Sequence, residues 1–145
     1  MNSSKCRVLC VDDHEDTCFM LSALLGSAGH EVSTADSVAA AKRSMTAGHS
    51  DLVVMDKRFA DGSGVNLCEW ARGHSPQTPV IFYSGAALES DREQGLCAGA
   101  SAYITKPDIR GLEAEVSRQL QDKGCAAAPA AREAPPGLRG SDVRA

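Results

Sequence analysis

The residues able to do chemistry stand directly behind short apolar runs: Asp12 and Asp13 behind residues 7–11, Asp56 behind 52–55, Ser84 behind 79–83 and Lys106 behind 102–105. Where three carboxylates converge, each pair of full charges at ~5 Å and an effective dielectric of ~20 repels by about 3 kcal/mol, so something positive should occupy the site. Oxygen-only ligands select a hard cation, and a small open site that keeps several waters suits Mg²⁺ better than Ca²⁺. No convergent His or Cys points to zinc, and His14 reads as a surface residue opening a helix. Alone, each group has a simpler role: Asp12 and Asp13 as carboxylates before a helix, Ser84 as a turn former, Lys106 as a solvated charge. Their coincidence on four strand ends is what those simple roles fail to explain.

For the groups to meet, the runs must be neighbouring strands with a common direction. The four runs do not alternate with polar residues, as strands covered on both faces do not. A weaker fifth strand over 31–35 follows the turn at Gly29 and reads as an edge. Helix-like stretches fall between them at 14–28, 37–47, 65–71, 88–96 and 109–122. Phe19, Leu21, Leu24 and Leu25 supply an apolar stripe on the first, and Ile109, Leu112, Val116 and Leu120 one on the last. Asp36 and Asp108 stand where N-caps are expected. Five strand–helix repeats predict an α/β flavodoxin-like (βα)5 fold, a doubly wound parallel sheet with strand order 2-1-3-4-5. Its ligand site lies beyond the carboxyl ends of the strands, at the switch point between the first and third.

A chain of 145 residues has room for one such domain. Hydrophobic residues at 43% support a core, and aromatics at 4% make that core aliphatic. The net charge of −4, with no dense Lys/Arg cluster, weighs against direct DNA binding. No apolar run approaches the ~18 to 20 residues of a spanning helix, and the polar start lacks a secretory core, so no membrane insertion and a cytoplasmic location are expected. The six cysteines form no C-x-x-C pair and read as small buried hydrophobes in a reducing compartment. Past residue 123 the composition shifts to Ala, Pro, Gly and Arg. Residues 1–123 are therefore expected to fold, and 124–145 to form a disordered tail.

Over residues 5–122 the chain resembles the receiver domains of bacterial two-component response regulators. The resemblance rests on Val11-Asp12-Asp13, the stretch 51–56 ending in Asp56, Gly64 eight residues later, Ser84-Gly85, and Lys106-Pro107 with Tyr103 three residues before Lys106. It implies that Asp56 accepts a phosphoryl group from a sensor histidine kinase or phosphotransfer protein. It further implies that Asp12, Asp13, Asp56 and the Arg58 backbone carbonyl hold Mg²⁺, that Ser84 hydrogen-bonds the phosphoryl group and that Lys106 pairs with it. The Lys106–Pro107 bond would be cis. Ser84 and Tyr103 would form a coupled switch, Tyr103 moving inward on phosphorylation, with the output face on the fourth helix, fifth strand and fifth helix.

Such a protein is not a turnover enzyme; it carries out only Mg²⁺-dependent self-phosphorylation and autodephosphorylation. With the tail too short for an output domain, the expectation is a single-domain receiver acting through a downstream protein. The sequence departs from the family in the loop 57–64, where Phe59-Ala60 replace a common Met-Pro and Arg58 should project over the mouth of the site. The competing readings are a phosphorylation-independent interaction module and a Mg²⁺ phosphohydrolase. The latter is opposed because Asp12 and Asp13 are adjacent rather than in an Asp-x-Asp arrangement.

Overall fold

Within each apolar run, successive side chains point to opposite faces of a sheet, so a strand buried on both sides needs apolar residues at every position. The computed structural model, which describes residues 5–121 and 123, shows this arrangement. Strands β1 (Arg7–Val11), β2 (Glu31–Ala35), β3 (Leu52–Met55), β4 (Val80–Ser84) and β5 (Ala102–Thr105) pair in parallel in the order 2-1-3-4-5. Helices α1 (Glu15–Ser27), α2 (Val38–Ala47), α3 (Gly64–His74), α4 (Glu89–Cys97) and α5 (Ile109–Gln121) follow the strands in turn. Leu9, Val11, Val53, Met55 and Phe82 pack one face with Ala41 and Met45 of α2 and Leu67 and Cys68 of α3. Val8, Cys10, Leu52, Val54 and Ile81 pack the other with Leu21 and Leu25 of α1 and Leu112, Val116 and Leu120 of α5. Each fully buried Leu or Ile contributes about 1.5 to 3 kcal/mol, so the sheet is secured from both sides.

Two local expectations are corrected. Phe19 lies outside the apolar stripe and is 75% exposed. Leu21 and Leu25, four apart, define the buried face, and Phe19, two residues before Leu21, is rotated roughly 200° away from it. The N-cap of α2 is Ser37, whose Oγ accepts from the Ala40 N–H at 3.0 Å, not Asp36. A second cap comes from Asp61, whose two carboxylate oxygens accept the N–H groups of Val38 and Ala39 at 2.9 and 3.0 Å. At α5, Asp108 behaves as expected, with Oδ1 accepting from the Gly111 N–H.

Between β3 and α3 a small antiparallel hairpin pairs Arg58–Phe59 with Gly62–Ser63. Ser63 then caps α3, its Oγ accepting from the Val65 N–H. None of the described helices is long and apolar enough to cross a membrane. Cys10, Cys18, Cys68 and Cys97 are free thiols, with Cys10 pushed up to about 12 chiefly by burial. Cys6 is disulfide-bonded, a departure from the reading of reduced thiols. The tail expected over 124–145 lies outside the described residues.

Candidate functional site

The parallel ladder runs one residue past the strands and carries the site residues on it. Asp12 donates its backbone N–H to Ala35 O, Asp56 to Val11 O and Lys106 to Ser84 O, at 2.9 to 3.0 Å. Three of the chemistry-bearing side chains therefore leave the sheet from hydrogen-bonded backbone. Their position is set by the core beneath them.

The expected convergence is present. Ligating atoms of Asp12, Asp13, His14 and Asp56 lie within 4.8 Å of one another. Lys106 Nζ reaches into the cluster, 2.9 Å from Asp12 Oδ2 and 3.3 Å from Asp56 Oδ2. Burial works against the Lys106 charge, but the Asp12 hydrogen bond and the charges of Asp56 and Asp12 outweigh it and hold its pKa above the usual lysine value. Asp12 and Asp56 are buried, while Asp13 stands exposed at the rim. The Asp56 carboxylate is oriented by the Lys57 backbone N–H, which donates to Oδ1 at 2.7 Å.

Ser84 is buried and its Oγ accepts from the Ala86 N–H at 3.1 Å, which leaves the hydroxyl proton to be donated elsewhere. It lines one depression with Asp13, Asp56 and Arg58. The Arg58 side chain stands at this mouth, 78% exposed, with its guanidinium 4.0 Å from Asp91. The Lys106–Pro107 bond is cis.

Tyr103, the other half of the expected switch, is buried. Its ring is 4% exposed and tilted against Phe82, with its hydroxyl donating to Ala86 O at 2.6 Å. Gly95 makes the room: a Cβ there would fall 2.9 Å from both the Phe82 and the Tyr103 rings.

The simple capping role of Asp12 and Asp13 does not describe the structure. The N-cap of α1 is His14, with no side-chain cap. Asp12 Oδ1 instead accepts from the His14 N–H and lies 2.9 Å from His14 Nδ1, and Asp13 Oδ1 is 3.3 Å from the same nitrogen. The Asp12 hydrogen bond, then the charges of Asp12 and Asp13, raise the His14 pKa. Sequence reasoning had set His14 aside; its one signal was its place directly behind the acidic pair.

A glycine also carries the site. A Cβ on Gly64 would lie 2.2 Å from Asp56 O, so the loop returns against the Asp56 backbone at a place only glycine fits. Sequence reasoning missed Lys57 and Asp91 altogether. They form a buried ion pair behind the rim, and nothing in their local spacing announces a contact across 34 residues.

Comparison with known proteins agrees with this geometry. The response regulator receiver domain matches residues 8–117. The chain belongs to that family. This receiver is 36% identical over 122 residues to the transcriptional regulatory protein PrrA of Mycobacterium tuberculosis, a match covering 83% of the chain and 52% of PrrA. The chain thus spans about half the length of the PrrA and DevR/DosR regulators it matches. Among solved structures, a CheY-like receiver domain protein from Methanospirillum hungatei superposes with a TM-score of 0.78 at 28% identity, covering 83% of this receiver and 97% of that chain. The response regulator TrrA of Thermotoga maritima, solved in complex with Mg²⁺-BeF, superposes with a TM-score of 0.72 at 26% identity, covering 79% and 99%. The receiver is a module of two-component signal transduction, a family that works with histidine kinases or phosphotransfer proteins.

Proposed function

We propose that this receiver accepts a phosphoryl group on Asp56 and signals through protein contacts. The observation that carries the reading is the Asp56 carboxylate held between the Lys57 N–H and the Lys106 ammonium, beside two further acids. With a phosphohistidine donor, an Asp56 oxygen attacks phosphorus, the new O–P bond forms as the P–N bond breaks, and the electron pair leaves with the imidazole. A carboxylate approaching a phosphoryl group meets like charge, so the work of the site is neutralisation and alignment.

Lys106 supplies the positive charge, and its proton is secured by its two carboxylate partners. The Lys57 N–H fixes the rotation of the nucleophile. Ser84, whose Oγ accepts from the Ala86 N–H, has a rotatable hydroxyl proton that can be turned to a phosphoryl oxygen.

The donor set also fits Mg²⁺. Three carboxylates against one ammonium leave two negative charges on a rim of oxygen ligands, which a divalent hard cation balances. Asp12, Asp13 and Asp56, with the Arg58 backbone carbonyl, are the groups proposed to hold it, and when bound it would neutralise charge on the transferred oxygens. His14 Nδ1 stands against Asp12 and Asp13 and, whenever that nitrogen carries a proton, donates to the same oxygens a cation would use.

The chemistry proposed is self-phosphorylation and loss of the acyl phosphate rather than turnover of a separate substrate. The output face proposed is α4, β5 and α5. Its support is that Tyr103 of β5 is bonded to the loop that follows Ser84, and Arg92 of α4 donates to Tyr103 O at 3.4 Å. Intact-mass analysis after incubation with a small phosphodonor and Mg²⁺ tests the reading. One phosphoryl addition is expected, abolished by EDTA and by Asp56→Ala; equal labelling of that variant would refute it.

A further inference from the structure

The residue following the acceptor turns its side chain away from the acidic rim. Lys57 Nζ pairs with Asp91 Oδ1 in the first turn of α4 at 2.5 Å, and both side chains are at most 10% exposed. The other Asp91 oxygen accepts from the Leu88 N–H at 3.1 Å. One carboxylate therefore both closes the first turn of α4 and ties it to the strand end that carries Asp56. Lys57 acts at two places at once, its backbone N–H on Asp56 Oδ1 and its ammonium on α4.

Only Gly85, Ala86 and Ala87 separate Ser84 from Leu88. This short loop is fastened near its start by Ala86, which donates to Ser84 and accepts from Tyr103, and at its end by the chain Leu88–Asp91–Lys57. A buried ion pair is weak as a source of net stability, because desolvation offsets much of its attraction, yet strong as a determinant of register, because neither partner tolerates the other's removal. At this position register means the distance of Ser84, Gly85 and Ala86 from Asp56, with which they share one depression.

We infer that Lys57 is a positioning residue: through Asp91 it holds the β4–α4 loop against the rim, so that Ser84 and Gly85 stand in place before a phosphoryl group arrives. The inference rests on the phosphoacceptor reading above and adds to it the device that organises the loop.

The test is a titration with beryllofluoride, a phosphoryl mimic, of the Mg²⁺-loaded protein, comparing wild type, Lys57→Met, Asp91→Asn and the double variant, each well below its melting temperature. Asn keeps an acceptor for the Leu88 N–H and removes only the charge. If Lys57→Met does not fold, Asp91→Asn carries the test. Each single variant is expected to bind beryllofluoride about fivefold or more weakly. The double variant should lose no more than the worse single, because both act through one pair. Affinity for Mg²⁺ alone should stay within about twofold of wild type, which a general collapse of the site would not allow. Unchanged or tighter beryllofluoride binding overturns the inference, as do losses that multiply in the double variant or a parallel loss of Mg²⁺ affinity. If the wild type itself fails to bind beryllofluoride with Mg²⁺, the phosphoacceptor reading has failed and the inference falls with it.

Discussion

Gly64→Ala tests whether the backbone of Asp56, the proposed acceptor, is held by the returning loop. The added methyl would lie 2.2 Å from Asp56 O, 2.8 Å from Lys57 Cα and 2.9 Å from Lys57 O, all backbone or backbone-attached atoms that no rotamer change can move. Ordinary contact begins at 3.4 Å, so the nearest pair must separate by about 1.2 Å. The hydrogen bond from the Gly64 N–H to Lys57 O, at 2.6 Å, resists that separation. Overpacking of this kind costs about 1 to 3 kcal/mol, or roughly 5 to 15 °C in a domain of this size. The displaced segment contains Asp56, and misplacement of a nucleophile by ~1 Å lowers a rate about 100-fold. Thermal melting by circular dichroism and phosphorylation by a small phosphodonor, followed by intact mass, read both effects. Gly26→Ala is the control: in α1, with nothing within 4 Å of its Cβ, it should melt slightly higher and phosphorylate normally. A Gly64→Ala protein that melts and phosphorylates like wild type would refute the reasoning.

Arg58→Ala should lose its phosphoryl group about two- to fivefold faster, because an exposed charged contact at the mouth slows hydrolysis by a modest amount; an unchanged or slower decay removes the role. Asp61→Ala should lower the melting temperature by a few degrees, since both of its oxygens cap α2; the caps hold its carboxyl below the usual range, so that stability is present above about pH 3.8 and is lost on further acidification. For His30, burial lowers the pKa, and its Nδ1 has no hydrogen-bond partner. The unfolded chain then takes up that proton first, so stability present above pH 6.5 is lost as pH falls through that value towards the folded pKa. Wild type should lose stability relative to His30→Leu between about pH 8 and about pH 5 in chemical denaturation; a constant difference would exclude the effect. His14 has the opposite sign, its stabilisation present below pH 6.5 and lost as pH rises through its raised pKa, and it cancels because both proteins contain it.

The sheet was legible because a parallel strand covered on both faces writes itself as an uninterrupted apolar run, and the residue behind each run then falls on the carboxyl rim. Asp12, Asp13, Asp56, Ser84 and Lys106 could be placed by that rule alone. What depends on how helices lie over the sheet was not legible. Phe19 has the composition of a core residue, and only the phase set by Leu21 and Leu25 turns it outward. Tyr103 could be named from the resemblance, but its buried position follows from Gly95 and the β4–α4 loop, which no local pattern encodes. The Lys57–Asp91 pair needs α4 docked before the two charges can meet, and His14 needs the Asp12 carboxylate turned back on it. Gly64 was visible only as a spacing, while its reason is an approach to the carbonyl of Asp56 eight residues earlier.

The central claim is that the phosphoryl group is carried by the Asp56 carboxylate. Borohydride reduces an acyl phosphate to the alcohol, converting the modified aspartate to homoserine, and peptide mass mapping then reports which residue carried the group. After incubation with a phosphodonor and Mg²⁺, homoserine should appear at Asp56 and nowhere else, and should disappear when EDTA is present from the start. Homoserine at Asp12 or Asp13, or at Asp56 without dependence on a divalent cation, would contradict the account.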